Sequence, residues 1–209
     1  MNVIGFDDGP FPREHRGDVL VVGAVCSRTR LDGVVSGHVR RDGADATRRM
    51  IELVKSSQFA AHIQAVMLQG IAVGGFNVVG VRRLSEALGV PVLVVARRRP
   101  DMDAVRQALF SKDPKSRPPV SGARRKWKLI QAAGEIELLG PSHRALRRSR
   151  ATGVPAVEHR LFIQRVGLTL EDARRLVEAT TLHGNVPEPL RLAHLIAGGI
   201  ASGRSRGRV

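Results

Sequence analysis

Apolar positions along the chain fall into two periods, and the switch between them orders the elements. Residues 3–7 and 19–27 are near-continuous in apolar side chains, the second run reading as a strand buried on both faces. A third strand is expected at 34–40, after a turn at Leu31, Asp32 and Gly33. Three strands with short connections predict an antiparallel meander. The period then becomes helical, with Ala46, Met50, Ile51 and Val54 on one stripe. A strand follows at 63–68, then a helix marked by Val81, Leu84 and Leu88, a strand at 90–95, and a helix capped by Asp101 that carries Met102, Val105 and Leu109. Alternating βα units require parallel crossovers, and the opening meander does not. One α/β sheet satisfies both: a mixed five-stranded core of order 3-2-1-4-5, strand 2 antiparallel to the rest, flanked by helices. This is the ribonuclease H-like architecture.

Beyond that core, 111–128 is rich in Pro, Lys, Arg and Ser and reads as an exposed loop, with a second loop near 144–152. A strand is expected at 157–166. Thr169 and Asp172 have capping-box spacing ahead of a helix whose buried stripe is Ala173, Leu176, Val177 and Thr180. A last helix starts near Pro189. The expected organisation is a single domain over 1–203 with a flexible basic tail at 204–209.

Composition narrows the function classes. The net charge is +15, and 97–150 holds 15 Lys/Arg against 5 Asp/Glu, a clustering expected of a face that meets a polyanion. One cysteine, Cys26, excludes an intrachain disulfide and a Cys-rich zinc site, and fits a cytoplasmic protein. No apolar run is long enough to span a bilayer. There is no Tyr and only one Trp, so aromatic platforms for base stacking are scarce.

Against this basic background, the first strand ends in Asp7 and Asp8. Carboxylates at the end of a buried strand suit Mg²⁺, and the alternation of side chains allows only one of the two, Asp7, to be central. The competing reading is a strand-end turn that uses Asp for local hydrogen bonds. Asp42 and Asp45 lie where the third strand passes into a helix. They read as a turn residue and a helix-start acid, or as carboxylates that reach over toward strand one. Gly70, Gly74 and Gly75 suggest close backbone approach to a ligand or a sharp bend. Asn77 could cap a helix or bind a nucleotide. No Gly-Lys-Ser/Thr follows, so this is not a Walker loop, and the dispersed histidines make no metal-ligand set.

Ile4-Gly5-Phe6-Asp7-Asp8-Gly9-Pro10-Phe11, Asp42-Gly43-Ala44-Asp45-Ala46-Thr47 and Gly75-Phe76-Asn77-Val78-Val79 resemble the endonuclease dU family, also known as domain-of-unknown-function family 99. Val186-Pro187-Glu188-Pro189-Leu190-Arg191-Leu192-Ala193-His194 resembles the Pro-Glu-Pro-x-Arg-x-Ala stretch of endonuclease V, a distant relative with the same sheet. The resemblance implies Mg²⁺-dependent cleavage of DNA near a deaminated base, deoxyuridine first, with Mn²⁺ as an alternative ion and RNA not set aside. It implies Asp7, with Asp42 and Asp45, as catalytic and metal-binding carboxylates. Gln69 falls where endonuclease V has a metal carboxylate, Leu168 where it has His, and Gly80 where many dU relatives are expected to carry Asp. The expected nucleic-acid contacts are Asp8, Gly74, Gly75, Phe76, Asn77, Arg97, Arg98, Arg124, Arg125, Lys126, Lys128, Arg191 and His194. A second reading keeps the fold and the nucleic acid but has weak or lost catalysis, because Gln69 and Leu168 depart from the endonuclease V pattern.

Overall fold

The structure, a computed structural model, describes residues 1–111, 120–140, 151, 153 and 160–205. Strands β1 (Asn2–Asp8), β2 (Asp18–Ser27) and β3 (Arg30–Arg40) form the meander; β4 (Ala65–Gln69) and β7 (Val92–Ala96) are the crossover strands. Strands β5 (Ala72–Val73) and β6 (Asn77–Val78) make a separate small ladder between them. Strands β8 (Glu137–Leu139) and β9 (Leu161–Val166) complete the main sheet, whose order is β3-β2-β1-β4-β7-β9-β8. β1 pairs antiparallel with β2 and parallel with β4, and β4 pairs parallel with β7. The expected 3-2-1-4-5 core is therefore present, and β9 and β8 extend it antiparallel beyond β7 to seven strands.

Helices α1 (Ala46–Lys55) and α2 (Val81–Leu88) pack on one face of the sheet. Their Met50, Val54 and Leu84 join Ile4, Phe6, Val66 and Leu68 in one apolar cluster. Helices α5 (Leu170–Thr180) and α6 (Glu188–Ser202) cover the other face, with Leu176, Val177 and Leu190 against Val3, Met67 and Leu93. Side chains of β1 thus alternate between two buried layers, as a central strand requires. Thr169 and Asp172 form the reciprocal capping box of α5, and the four residues of its expected stripe are all buried. Among the described residues no helix is long and apolar enough to cross a membrane.

Two expectations change. The basic run expected as loop contains α4 (Ala123–Ala132), after α3 (Met102–Phe110). Ala123, Trp127 and Ile130 recur at i, i+4 and i+7, and pack with Leu109 and Val78; the Arg and Lys residues between them hide that stripe. The third strand starts at Arg30 rather than 34, because β2 and β3 pair from Ser27↔Arg30 onward, with a register shift at Val25/Cys26. The expected loop at 144–152 apart from Ala151, the first residues of the strand expected from 157, residues 112–119 and the tail 206–209 lie outside the described residues.

Candidate active site

Gly5 sets the seat of the last helix. A Cβ there would come within 2.5 Å of the Pro189 carbonyl carbon, so only glycine lets the start of α6 lie directly on β1. From that contact, Asp7 is two residues along the strand and His194 is five along the helix, roughly 7 Å in each case. The two side chains consequently meet, with His194 Nδ1 2.8 Å from Asp7 Oδ2. The Pro-Glu-Pro stretch is held by Glu188, which is 2% exposed and forms a two-pronged ion pair with Arg191 (Nε–Oε1 2.9 Å, Nη2–Oε2 2.6 Å). Arg191 therefore braces the helix start.

Asp7 is 5% exposed, and its carboxyl is pushed up to about 6. Burial is the main cause, the adjacent Asp8 charge adds to it, and the hydrogen bond and charge of His194 work against it. The strand end therefore favours a nearby positive charge. Gln69 closes β4, and the parallel register pairs Phe6 with Leu68, so the following residues, Asp7 and Gln69, occupy the same face of neighbouring strands.

Asp8 points to the opposite face. Its Oδ2 accepts from the Gly74 amide at 2.9 Å, and burial raises its carboxyl above the usual range. The glycine-rich segment is a bend: Gly70, Gly74 and Gly75 all have positive φ, and the bend leads into the β5–β6 ladder. Asp42, itself at φ 51°, holds this ladder from the other side. Its amide donates to Gly74 O (2.8 Å), and its Oδ1 accepts from the Phe76 amide (2.8 Å). Arg41 lies beside Asp42, with Nε 3.4 Å from Oδ2.

Asp45 is the N-cap residue of α1, and Asn77 bridges it to the sheet. Asn77 Nδ2 donates to Asp45 Oδ1 (2.6 Å) and to Arg40 O (2.9 Å), and Asn77 Oδ1 accepts from the Ala46 amide (3.0 Å). Asn77 is fully buried, so its amide caps α1 and does not face a nucleotide.

These contacts separate the expected ligand residues. Asp42 and Asp45 clamp backbone and the Asn77 amide, and among the described residues no three of His, Cys, Asp and Glu gather as a metal-ligand group. Lys126 departs from the expected phosphate contact as well: it is 3% exposed and donates to Asp42 O. Arg97, Arg98, Arg124, Arg125 and Lys128 are exposed. The donor set fits a Mg²⁺ ion that keeps most of its water and phosphate ligands and takes one protein carboxylate, from Asp7, beside a neutral amide oxygen from Gln69. It does not fit a site built from three protein carboxylates.

The role of His194 was not legible from its dispersed position among the histidines. The signal was Gly5 opposite the Pro-Glu-Pro stretch, which needs the three-dimensional packing to be read. Comparisons with known proteins bear on the fold and the family. A UPF0215 protein of Deinococcus radiodurans is 46% identical over 207 residues, covering 99% of this chain and 92% of its own length. A crystal structure of a protein of unknown function from Archaeoglobus fulgidus superposes with a TM-score of 0.76 at 32% identity, covering 97% of this chain and 99% of that one. Endonuclease V of Ciona intestinalis, solved in complex with a 24mer DNA containing an inosine followed by a ribo-adenosine, superposes with a TM-score of 0.54 at 16% identity, covering 92% of this chain and 82% of that one. At that identity the likeness is one of fold. The profile of the endonuclease dU family matches residues 1–201, and the chain belongs to that family.

Proposed function

We propose that this protein is a divalent-metal-dependent endonuclease that cuts DNA near a deaminated base, deoxyuridine first, in DNA repair. The observation that carries the reading is Asp7: a buried carboxylate at the end of the central strand, oriented by His194 and raised to about 6 by burial and the Asp8 charge. Such a group favours a hard cation beside it. Mg²⁺ bound there supplies charge neutralisation of a phosphodiester and an acidified water molecule. Asp7 holds the ion and Gln69 offers an amide oxygen on the same face. His194 fixes the Asp7 carboxylate in one orientation. Asp8, through the Gly74 amide, and Asp42, through the Phe76 amide, anchor the glycine-rich ladder over the strand ends. Arg97, Arg98, Arg124, Arg125 and Lys128 attract the DNA backbone.

One observation favours the second reading, a nucleic-acid-binding protein with weak catalysis: Gln69, beside Asp7 on the neighbouring strand, carries no charge. The test is strand nicking of an oligonucleotide containing one deoxyuridine, compared with its thymidine twin, with Mg²⁺ and with chelator. Metal-dependent nicking confined to the deoxyuridine strand supports the enzyme. Binding of both strands with no nicking in Mg²⁺ or Mn²⁺ supports the second reading.

A further inference from the structure

A cavity of about 400 Å³ opens where the N-termini of α1, α2 and α4 converge. Its lining includes Arg48, Arg83, Arg125 and Lys126 on one hand, and Ala44, Val78 and Leu129 on the other. Among the described residues the only carboxylate in the lining is Asp42, whose Oδ1 is already bonded to the Phe76 amide. Arg48 is paired with Glu52 at 2.8 Å, and Lys126 donates to Asp42 O. Arg83 and Arg125 have no acceptor among the described residues. The cavity therefore presents two unneutralised guanidinium groups beside an apolar wall.

The helix ends add to this. None of the three N-cap residues, Asp45, Gly80 and Gly122, makes a side-chain cap bond, and none of the three first turns carries an acid; Asn77 Oδ1 accepts from the Ala46 amide of α1, and Thr47 Oγ1 accepts from the Gly80 amide ahead of α2 (2.8 Å). The starts of α3 and α5 are both capped by side chains. Gly80 is informative because its φ of −78° is open to any residue. A Cβ there would stand 3.4 Å from Leu129 and 3.6 Å from Thr47 Oγ1, ordinary contact distances, so packing does not demand glycine. Its effect is to leave space and positive helix-end potential in the cavity.

We propose that this cavity is a phosphate site for a nucleotide, with Arg83 and Arg125 as the guanidinium contacts, the acid-free first turn of α2 facing the phosphate, and Ala44, Val78 and Leu129 bordering the sugar or base. The volume is in the range of small-ligand sites, and planar guanidinium groups match phosphate oxygens. α1 and α2 pack on the Phe6 and Asp8 face of the sheet, whereas Asp7 faces α6, so the site is separate from the proposed cleavage centre. The phosphate can belong to a free nucleoside monophosphate or to the 5′ end of a strand, and the two sources share one chemistry.

Calorimetry in chelator separates them. The probes are dUMP against deoxyuridine, and one oligonucleotide with a 5′-phosphate against the same oligonucleotide with a 5′-hydroxyl. Either phosphate-bearing probe should bind about tenfold or more tightly than its partner; the pair that discriminates identifies the source. Arg83→Gln with Arg125→Gln should remove the discrimination, and both side chains are exposed, so folding is not at issue. Gly80→Asp should remove it too, while its new carboxylate caps α2 and holds or raises the melting temperature, a combination that a merely structural glycine would not give. Asp7→Asn should keep the discrimination. The proposal is overturned if neither pair discriminates in the wild-type protein, if both cavity variants still discriminate, or if Asp7→Asn abolishes the effect.

Discussion

His194 Nδ1 stands 2.8 Å from Asp7 Oδ2, which joins the last helix to the central strand across 187 residues of sequence. The contact fixes the orientation of the buried Asp7 carboxylate at the strand end. It does not offset the cost of burying that carboxylate next to Asp8, since the Asp7 carboxyl still lies at about 6 against an ordinary 3.8.

That shift makes stability depend on pH in a defined direction. Folded Asp7 binds its proton more tightly than the unfolded chain does, so the associated stability is full below pH 3.8 and is lost as pH rises through about 6. The difference is on the order of 3 kcal/mol. In chelator, Asp7→Asn is therefore expected to melt higher than wild type at pH 7.5, with the gap closing toward pH 4. Thermal melts of both proteins across that range check it; a gap independent of pH contradicts the assignment.

Asn77 is the structural counterpart on the opposite face. It holds Asp45, Arg40 O and the Ala46 amide at once, all within the buried junction of β3, β6 and α1. Asn77→Ala leaves those groups without their partner and is expected to cost about 2–4 kcal/mol of unfolding free energy. Urea unfolding measures it. A loss below roughly 0.5 kcal/mol would mean that water replaces the amide without cost.

Much of this architecture was legible in the sequence, for physical reasons that can be named. The near-continuous apolar runs of β1 and β2 and the period of 3.6 in α1 and α5 reflect fully buried strands and helices with one well-defined buried stripe. The placement of Asp7 and Asp8 on opposite faces follows from strand alternation, whereas Gln69 was expected at the metal site only through the resemblance to endonuclease V. The turn and helix-start readings of Asp42 and Asp45 match their geometry, because both are local effects. What was hidden depends on contacts distant in sequence. The stripe of α4 is interrupted by four basic residues, Arg124, Arg125, Lys126 and Lys128; only the packing of Val78 and Leu109 against it shows which face is buried. Asn77 reads equally as a cap or a nucleotide ligand until the partner helix is seen to be α1. The attachment of β9 to β7 and the cavity among three helix ends are likewise products of assembly.

Gln69 sets the charge of the proposed metal site. Gln69→Asp adds a second carboxylate to the face that holds Asp7, and divalent affinity is expected to rise about tenfold, since hard cations follow carboxylate count. Calorimetric titration of Mg²⁺ and Mn²⁺ into both proteins reads the change. Unaltered affinity would place Gln69 outside the ion's coordination shell.

The exposed cations give a salt signature. Replacing Arg97, Arg98, Arg124 and Lys128 by Gln should weaken single-stranded DNA binding and reduce the log–log salt slope by about 3, near 0.7 for each phosphate contact removed. Anisotropy titrations over a range of salt concentrations provide the slope. A parallel shift with no change of slope would show that these residues do not neutralise phosphates.

The central claim is that Asp7 holds the metal for strand cleavage, and single-turnover nicking of a deoxyuridine-containing oligonucleotide by wild type and Asp7→Asn in Mg²⁺ tests it most directly. The account predicts a fall of about 100-fold or more in the nicking rate, with the variant still folded and still binding the strand. Nicking by Asp7→Asn at the wild-type rate would contradict it.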